Sequence, residues 1–185
     1  MLEETLIGRR KVNPLAKTPA ACAGHRLAFS ALGFPPFEPS FASVEPIPRD
    51  SPPAVCHGVL WRLTNEDWLR VCATEGVPLA YVPLRVRVNP YVPGGFEDDQ
   101  LRNSVLGTVT EAAALAGTEN ESQRPGYTVS AVTLRAVQAS RALFGLPLLE
   151  LPPSRRYMGL LRAGAKEAGL SSSWQAKLAE LPSVW

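Results

Sequence analysis

The stretch VCHGVLWRLTNEDWLRVCATEGVPLAYVPLRVRV, residues 55–88, has the pattern of a strand, a short helix and a second strand. Residues 55–63 alternate between two faces, as the side chains of a strand do. Thr64 is followed three residues later by Asp67, a combination typical of a helix start. The apolar spacing beyond it predicts a short helix that ends at about residue 74.

Gly76 marks the end of this helix, because glycine readily adopts the left-handed conformation that closes helices. Residues 79–88 then alternate as the second strand. Glu75 is therefore expected in the turn between helix and strand, with apolar residues behind it. Partial burial in that position would suit a role in proton transfer, whereas the local pattern by itself favours a solvated turn glutamate.

Similar signals divide the rest of the chain. The sequence predicts strands at residues 23–29 and 127–137 and helices at residues 3–11, 154–169 and 172–181, the last two capped by Ser154 and Ser172. Seven prolines in residues 35–53 predict an extended segment that wraps over the core without joining a sheet, because proline has no N–H for a strand ladder. Residues 89–126 are expected to form a long excursion between two paired strands.

Length and composition favour one domain, residues 1–185. Hydrophobic residues make up 45% of the chain and charged residues 19%, which is enough apolar material for a core. The 18 prolines and 14 glycines argue against a helical bundle. The formal net charge is +2 with scattered basic residues, so no nucleic-acid partner is expected. No apolar run approaches the roughly 20 residues of a membrane span, so no membrane partner is expected either.

The cysteines, the histidines and the N-terminus predict a cytoplasmic protein with no metal or cofactor. Acidic residues near the N-terminus stand where a secretory signal carries positive charge. Three widely spaced cysteines, Cys22, Cys56 and Cys72, suit reduced thiols, and two histidines without a CxxC motif supply few metal ligands. Cys56 and His57 point to opposite faces of a strand, so we expect a core thiol and a hydrogen-bonded core histidine and no catalytic pair.

Five motifs in order along the chain resemble the gamma-glutamyl cyclotransferase family. They are GVLWRL at 58–63, EGV at 75–77, Tyr81, PSRRY at 153–157 and GAKEAGL at 164–170. Each motif is weak alone, and the set in this order is specific. The likeness runs from about residue 9 to residue 181.

The resemblance implies a mixed α+β fold, with a twisted, partly closed β-sheet and short flanking helices. It implies release of 5-oxoproline from a small gamma-glutamyl amino acid, peptide or amine, with glutathione among the candidates, by intramolecular aminolysis that needs neither metal nor cofactor. Glu75 is implied as the catalytic general acid/base, and Tyr81 and Tyr157 as substrate-binding residues. The alternative for both tyrosines is an aromatic residue at the edge of the core.

The beginning of the chain departs from the family pattern. Family members start with a strand and a YGSN-type loop whose backbone amides cradle the substrate, and residues 1–10 resemble the helix after that loop. Without that strand, an exposed sheet edge and a homo-oligomer are expected. Three alternatives stay open: an active cyclotransferase of acyltransferase or lyase type, a non-catalytic family member that binds small molecules or partners, and a structural domain.

Overall fold

The computed structural model describes residues 5–34, 37–48, 50–93, 127–137 and 150–185. The strands are β1 (Ala16–Ala23), β2 (His25–Phe34), β3 (Glu38–Pro46), β4 (Val55–Arg62), β5 (Tyr81–Pro90) and β6 (Val129–Ala136). The helices are α1 (Asn65–Thr74), α2 (Arg155–Glu167) and α3 (Ser172–Glu180), preceded by a π-helical turn at Thr5–Arg9. Within the described ranges, no helix combines the length and the apolar character that crossing a bilayer requires.

The described strands form antiparallel pairs in two groups. One group has the order β4-β1-β5-β6, and β2 and β3 form a two-stranded ribbon. β1 and β4 pair without a break over eight residue pairs, and β5 and β6 pair over eight more. β1 and β5 pair only at Ala20↔Pro90 and Ala21↔Asn89, so two long ladders meet at one narrow junction.

The ribbon of β2 and β3 curls the sheet toward closure. On β3, Ser43 Oγ accepts a hydrogen bond from the Ala136 N–H of β6 at 2.9 Å. Arg135 of β6 forms an ion pair with Glu45 of β3, with 2.7 Å between Nε and Oε2. The result is a curled, partly closed antiparallel sheet with short helices, which confirms the predicted mixed α+β fold.

Two of the three apolar clusters among the described residues bear on the site. The larger cluster packs the sheet against the last two helices and contains Ala20, Cys22, Cys56, Val86, Val88, Ala165, Leu170, Trp174 and Leu178. The smaller cluster, Leu6, Val12 and Val71, attaches the N-terminal segment to α1. Burying one aliphatic side chain stabilises a fold by about 1.5 to 3 kcal/mol, so this contact fixes the segment that contains residue 10.

Local signals at the helix ends are confirmed by the structure. Thr64 and Ser154 cap α1 and α2, each accepting a hydrogen bond from the backbone N–H three residues later. Gly76 and Gly169 have φ values of +70° and +65°, as expected of glycines that end helices. One predicted cap is wrong: Ser171, and not Ser172, caps α3 by accepting from the Trp174 N–H.

The prediction for the proline-rich segment is wrong. Residues 38–46 form strand β3, which pairs with β2. Pro39 and Pro46 lie near its two ends, so the proline-free run between them carries the ladder. The strand predicted at residues 23–29 overlaps β2, which begins at His25 after Gly24, whose φ is +70°; strand β1, which ends at Ala23, was not predicted. Most of the predicted excursion, from residue 94 to residue 126, lies outside the described residues.

Candidate active site

Glu75 lies at the C-cap of α1, in a turn closed by backbone hydrogen bonds. The Val77 N–H donates to the Cys72 carbonyl at 3.0 Å, and the Gly76 N–H donates to the Ala73 carbonyl at 3.3 Å. These are the two hydrogen bonds of a Schellman motif, which requires a left-handed residue at the position of Gly76. The turn therefore fixes the backbone of Glu75 a few residues before β5, where the sequence places it.

Arg10 reaches Glu75 from the N-terminal segment. Its Nη1 donates to Oε1 of Glu75 in an ion pair whose side chains are 18% and 20% exposed. Leu6 and Val12 on either side of Arg10 are buried, and the Val12 N–H donates to the Leu6 carbonyl at 3.2 Å. A packed segment thus presents a guanidinium to a carboxylate 65 positions later in the chain.

Both tyrosine hydroxyls bind the backbone of one residue, Ala42 of β3. Tyr81, the first residue of β5, donates from its hydroxyl to the Ala42 carbonyl at 3.0 Å. Tyr157, in the first turn of α2, accepts from the Ala42 N–H at 3.2 Å. The ring of Phe41 meets the ring of Tyr157 edge to face, with centroids 5.3 Å apart. The two hydroxyls therefore lie close together over the same stretch of β3.

The PSRRY motif places Tyr157 through the helix cap. Ser154 Oγ accepts from the Tyr157 N–H at 3.1 Å and donates to the carboxylate of Glu38, which also accepts from the Ser154 N–H at 2.8 Å. Glu38 and Ser154 are both buried, and Glu38 is the first residue of β3. The motif thereby ties the start of α2 to the strand that Tyr157 touches.

Both tyrosines remain protonated at neutral pH. Burial is the largest cause that raises the pKa of Tyr81 well above its ordinary value, and the nearby Tyr157 and the negative charge of Glu75 raise it further. Burial also raises the pKa of Tyr157, although the Ala42 N–H acts in the opposite direction. Arg10 lowers both pKa values, so each phenol interacts with both members of the ion pair.

One cavity of about 1450 Å³ has Arg10, Glu75, Tyr81 and Tyr157 in its wall. Apolar side chains form much of the remaining wall, among them Leu6, Trp61, Trp68, Leu134 and Leu160. The structure thus brings the three residues that the sequence singled out, Glu75, Tyr81 and Tyr157, to a single space. The cavity thus presents a carboxylate, a guanidinium and two phenols on a largely apolar surface.

Cys56 and His57 have the core roles predicted for them. Burial raises the pKa of the Cys56 thiol to about 12, which leaves it protonated and unreactive at neutral pH. His57 is buried, its Nδ1 lies 3.0 Å from the Tyr91 hydroxyl, and its ring stacks on Trp174 at 5.3 Å. Neither side chain contacts Glu75 among the described interactions. No group of three or more metal-binding side chains occurs in the part of the chain that the structure describes.

Sequence reasoning missed three contributors to this site: Arg10, Ala42 and Glu38. Arg10 stands in a run of basic residues, Arg9–Lys11 in the sequence, that gives no indication of which one turns inward. Ala42 contributes its backbone, which no motif identifies. Glu38 lies in the proline-rich segment, where no strand was predicted. All three depend on contacts between distant parts of the chain.

The sequence of this chain is similar to that of a known family and of two fungal proteins. A model of the AIG2-like family matches residues 55–178. A protein named gamma-glutamyl cyclotransferase gliK, from Claviceps purpurea, is 33% identical over 98% of this chain and 66% of its own length. A protein named gamma-glutamyl cyclotransferase aclK, from Aspergillus oryzae, is 27% identical over 91% of this chain and 53% of its own length. The chain thus spans between about half and two thirds of these relatives.

Two solved structures share the fold. One, titled gamma-glutamyl cyclotransferase, superposes with a TM-score of 0.59 at 17% identity, over 96% of this chain and 80% of its own. The other, an uncharacterized human protein, superposes with a TM-score of 0.58 at 18% identity, over 90% of this chain and 74% of its own. At such identities the likeness concerns the fold alone.

Proposed function

The chain belongs to the AIG2-like family of gamma-glutamyl cyclotransferase-like proteins, and we propose that it releases 5-oxoproline from a gamma-glutamyl amino acid, peptide or amine. The observation that supports this most is the shared cavity of Glu75, Tyr81 and Tyr157. A carboxylate beside two protonated hydroxyls suits proton transfer during attack on a carbonyl group. The names of the two fungal relatives agree with this chemistry.

In the proposed reaction the substrate attacks itself. The α-nitrogen bonds to the γ-carbonyl carbon and closes a five-membered lactam, and the bond from that carbon to the leaving nitrogen breaks. Glu75 takes a proton from the α-ammonium group and returns it to the leaving nitrogen, so the carboxylate is regenerated. The second proton, which the attacking nitrogen loses as the lactam forms, passes to the released amine. No oxidant, metal or covalent intermediate is required. The protein's main contribution is to hold the amine against the carbonyl.

The two tyrosines have different parts in this proposal. The Tyr157 hydroxyl accepts from the Ala42 N–H, so its own proton points elsewhere and can stabilise the oxyanion that forms on the γ-carbonyl. The Tyr81 hydroxyl already donates its hydrogen bond to the Ala42 carbonyl. Its part in this proposal is therefore to shape the wall of the cavity. Because burial keeps both phenols protonated, these assignments hold across the neutral pH range.

Glu75→Gln is expected to reduce 5-oxoproline release by at least about 100-fold, because loss of a general acid/base typically lowers rates by about 10²–10⁴-fold. Release is measured on a panel of gamma-glutamyl amino acids, gamma-glutamyl amines and glutathione. Glu66→Gln is the matched control, since Glu66 is an exposed carboxylate on the same helix that pairs with Arg70. The control is expected to retain full activity.

The outcomes of this experiment distinguish the proposal from its alternatives. Residual activity of Glu75→Gln within about tenfold of the parent, about 1.4 kcal/mol in the barrier, excludes the general acid/base role. No release from any substrate by a protein shown to be folded contradicts the cyclotransferase proposal. Binding of gamma-glutamyl compounds without release supports the alternative, a non-catalytic family member that serves as a small-molecule-binding module.

A further inference from the structure

The Arg10–Glu75 ion pair joins two groups of opposite charge in the wall of the cavity. Both side chains are about four-fifths buried, at 18% and 20% exposure. A buried ion pair adds little net stability, because the desolvation of two charges offsets their attraction. The fold already attaches this segment through Leu6, Val12 and Val71. Neither net stability nor packing therefore accounts for the pair. Its position beside the two tyrosines indicates a role in ligand binding.

The gamma-glutamyl group itself carries the complementary charges. Its α-carbon is bonded directly to both an ammonium group and a carboxylate group. If Glu75 takes the proton of the ammonium, that nitrogen lies against the Glu75 carboxylate. The α-carboxylate then falls beside the neighbouring cation. Two adjacent protein charges of opposite sign thus match two adjacent substrate charges of opposite sign.

We propose that Arg10 binds the α-carboxylate of the gamma-glutamyl substrate and so makes a free α-carboxylate a requirement for recognition, an inference that rests on the proposed function. The contact with Glu75 uses one Nη atom of Arg10, and a guanidinium presents five N–H donors in a rigid fork. A fork of this kind binds a carboxylate through two parallel hydrogen bonds. Two such bonds fix rotation about the α-carbon and aim the amine at the γ-carbonyl.

A paired-substrate experiment isolates this contact. The first substrate is the best gamma-glutamyl amide of the panel, and the second is the 4-aminobutanoyl amide of the same amine, which lacks only the α-carboxylate. The parent protein is expected to lose about 100-fold in kcat/KM on the second substrate, the size of effect seen when a buried charged contact is removed. Relative to the parent, Arg10→Met is expected to lose about 100-fold in kcat/KM on the first substrate. On the second substrate, its kcat/KM is expected to stay close to that of the parent.

Two further variants serve as controls for the loss of positive charge. Arg10→Lys keeps the charge but not the fork, so it is expected to recover part of the loss on the gamma-glutamyl substrate. Arg9→Met removes the neighbouring exposed arginine and is expected to behave like the parent. An Arg10→Met protein that loses equally on both substrates overturns the proposal, because Arg10 then acts only by positioning Glu75.

A binding measurement separates this proposal from the proposed function. The probes are the same two amides, titrated into Glu75→Gln and into the Glu75→Gln, Arg10→Met double variant by calorimetry. Binding that requires both Arg10 and the α-carboxylate supports the Arg10 site even where no 5-oxoproline forms. Turnover by the parent with equal affinity for both probes upholds the cyclotransferase proposal and overturns the role of Arg10. Absence of both binding and turnover overturns both.

Discussion

Glu45 is a buried carboxylate whose pKa links folding to pH. Its side chain is 6% exposed and accepts hydrogen bonds from Ser43 Oγ at 2.7 Å, Ser30 Oγ at 3.0 Å and Arg135 Nε at 2.7 Å. Burial alone raises the pKa of a carboxyl group, but these three donors together outweigh burial and hold the pKa of Glu45 below its ordinary value. The folded state therefore binds the Glu45 proton less tightly than the unfolded chain does.

The Glu45 contribution to stability is therefore expected above the ordinary carboxyl pKa and lost as pH falls through the lowered folded-state pKa. In Glu45→Gln, the free energy of unfolding should be about 2 kcal/mol lower at pH 7 and should depend less on pH in the acid range. Denaturant unfolding at a series of pH values measures both effects, with Glu66→Gln as the exposed-carboxylate control. Parallel profiles for parent and Glu45→Gln would show that Glu45 is not the linked group.

At the scale of elements, the cap of α2 connects stability with the site. Ser154→Ala is expected to lower the free energy of unfolding by about 2 kcal/mol, because it removes the cap on the Tyr157 N–H and one donor to the buried Glu38. It should also lower the rate of 5-oxoproline release, since the first turn of α2 carries Tyr157. Thermal unfolding and initial rates on the same protein preparation measure the two effects.

Ser171→Ala is the matched variant for this prediction. Ser171 caps α3 by accepting from the Trp174 N–H at 3.3 Å, and α3 carries none of the proposed site residues. Its loss should lower stability without slowing the folded enzyme. Equal rates of the folded fractions of the Ser154 and Ser171 variants would mean that the α2 cap does not position Tyr157.

The elements that sequence could predict are those set by neighbouring residues. Thr64, Gly76 and Ser154 act within a few positions of themselves, so their caps and terminators are readable from the chain. Strand β3 was missed because its ladder depends on where two prolines fall relative to a partner strand. The motif order placed Glu75, Tyr81 and Tyr157 at one site, and all three line one cavity. Arg10 was missed because its partner lies 65 positions away.

At the scale of the whole molecule, the junction between the two ladders is the weakest part of the described sheet. β1 and β5 share two residue pairs, whereas each shares eight with its other neighbour. Stretches of both strands therefore have backbone groups without a ladder partner in the described sheet. Unpaired strand edges favour the addition of another strand, from a second copy or from another segment. Pro19 and Pro83 each remove one N–H from these edges, so pairing there is expected to be weak.

We therefore expect reversible self-association that grows with concentration and involves this junction. Sedimentation velocity over an about hundredfold dilution series should show a mass that falls toward the monomer as the protein is diluted. Val82→Lys places a charge on β5, where Val82 is 38% exposed, and should weaken association because lysines on strand edges oppose pairing. Leu69→Lys is the control, since Leu69 is 65% exposed on α1 away from the sheet. A monomer at every concentration would contradict this prediction.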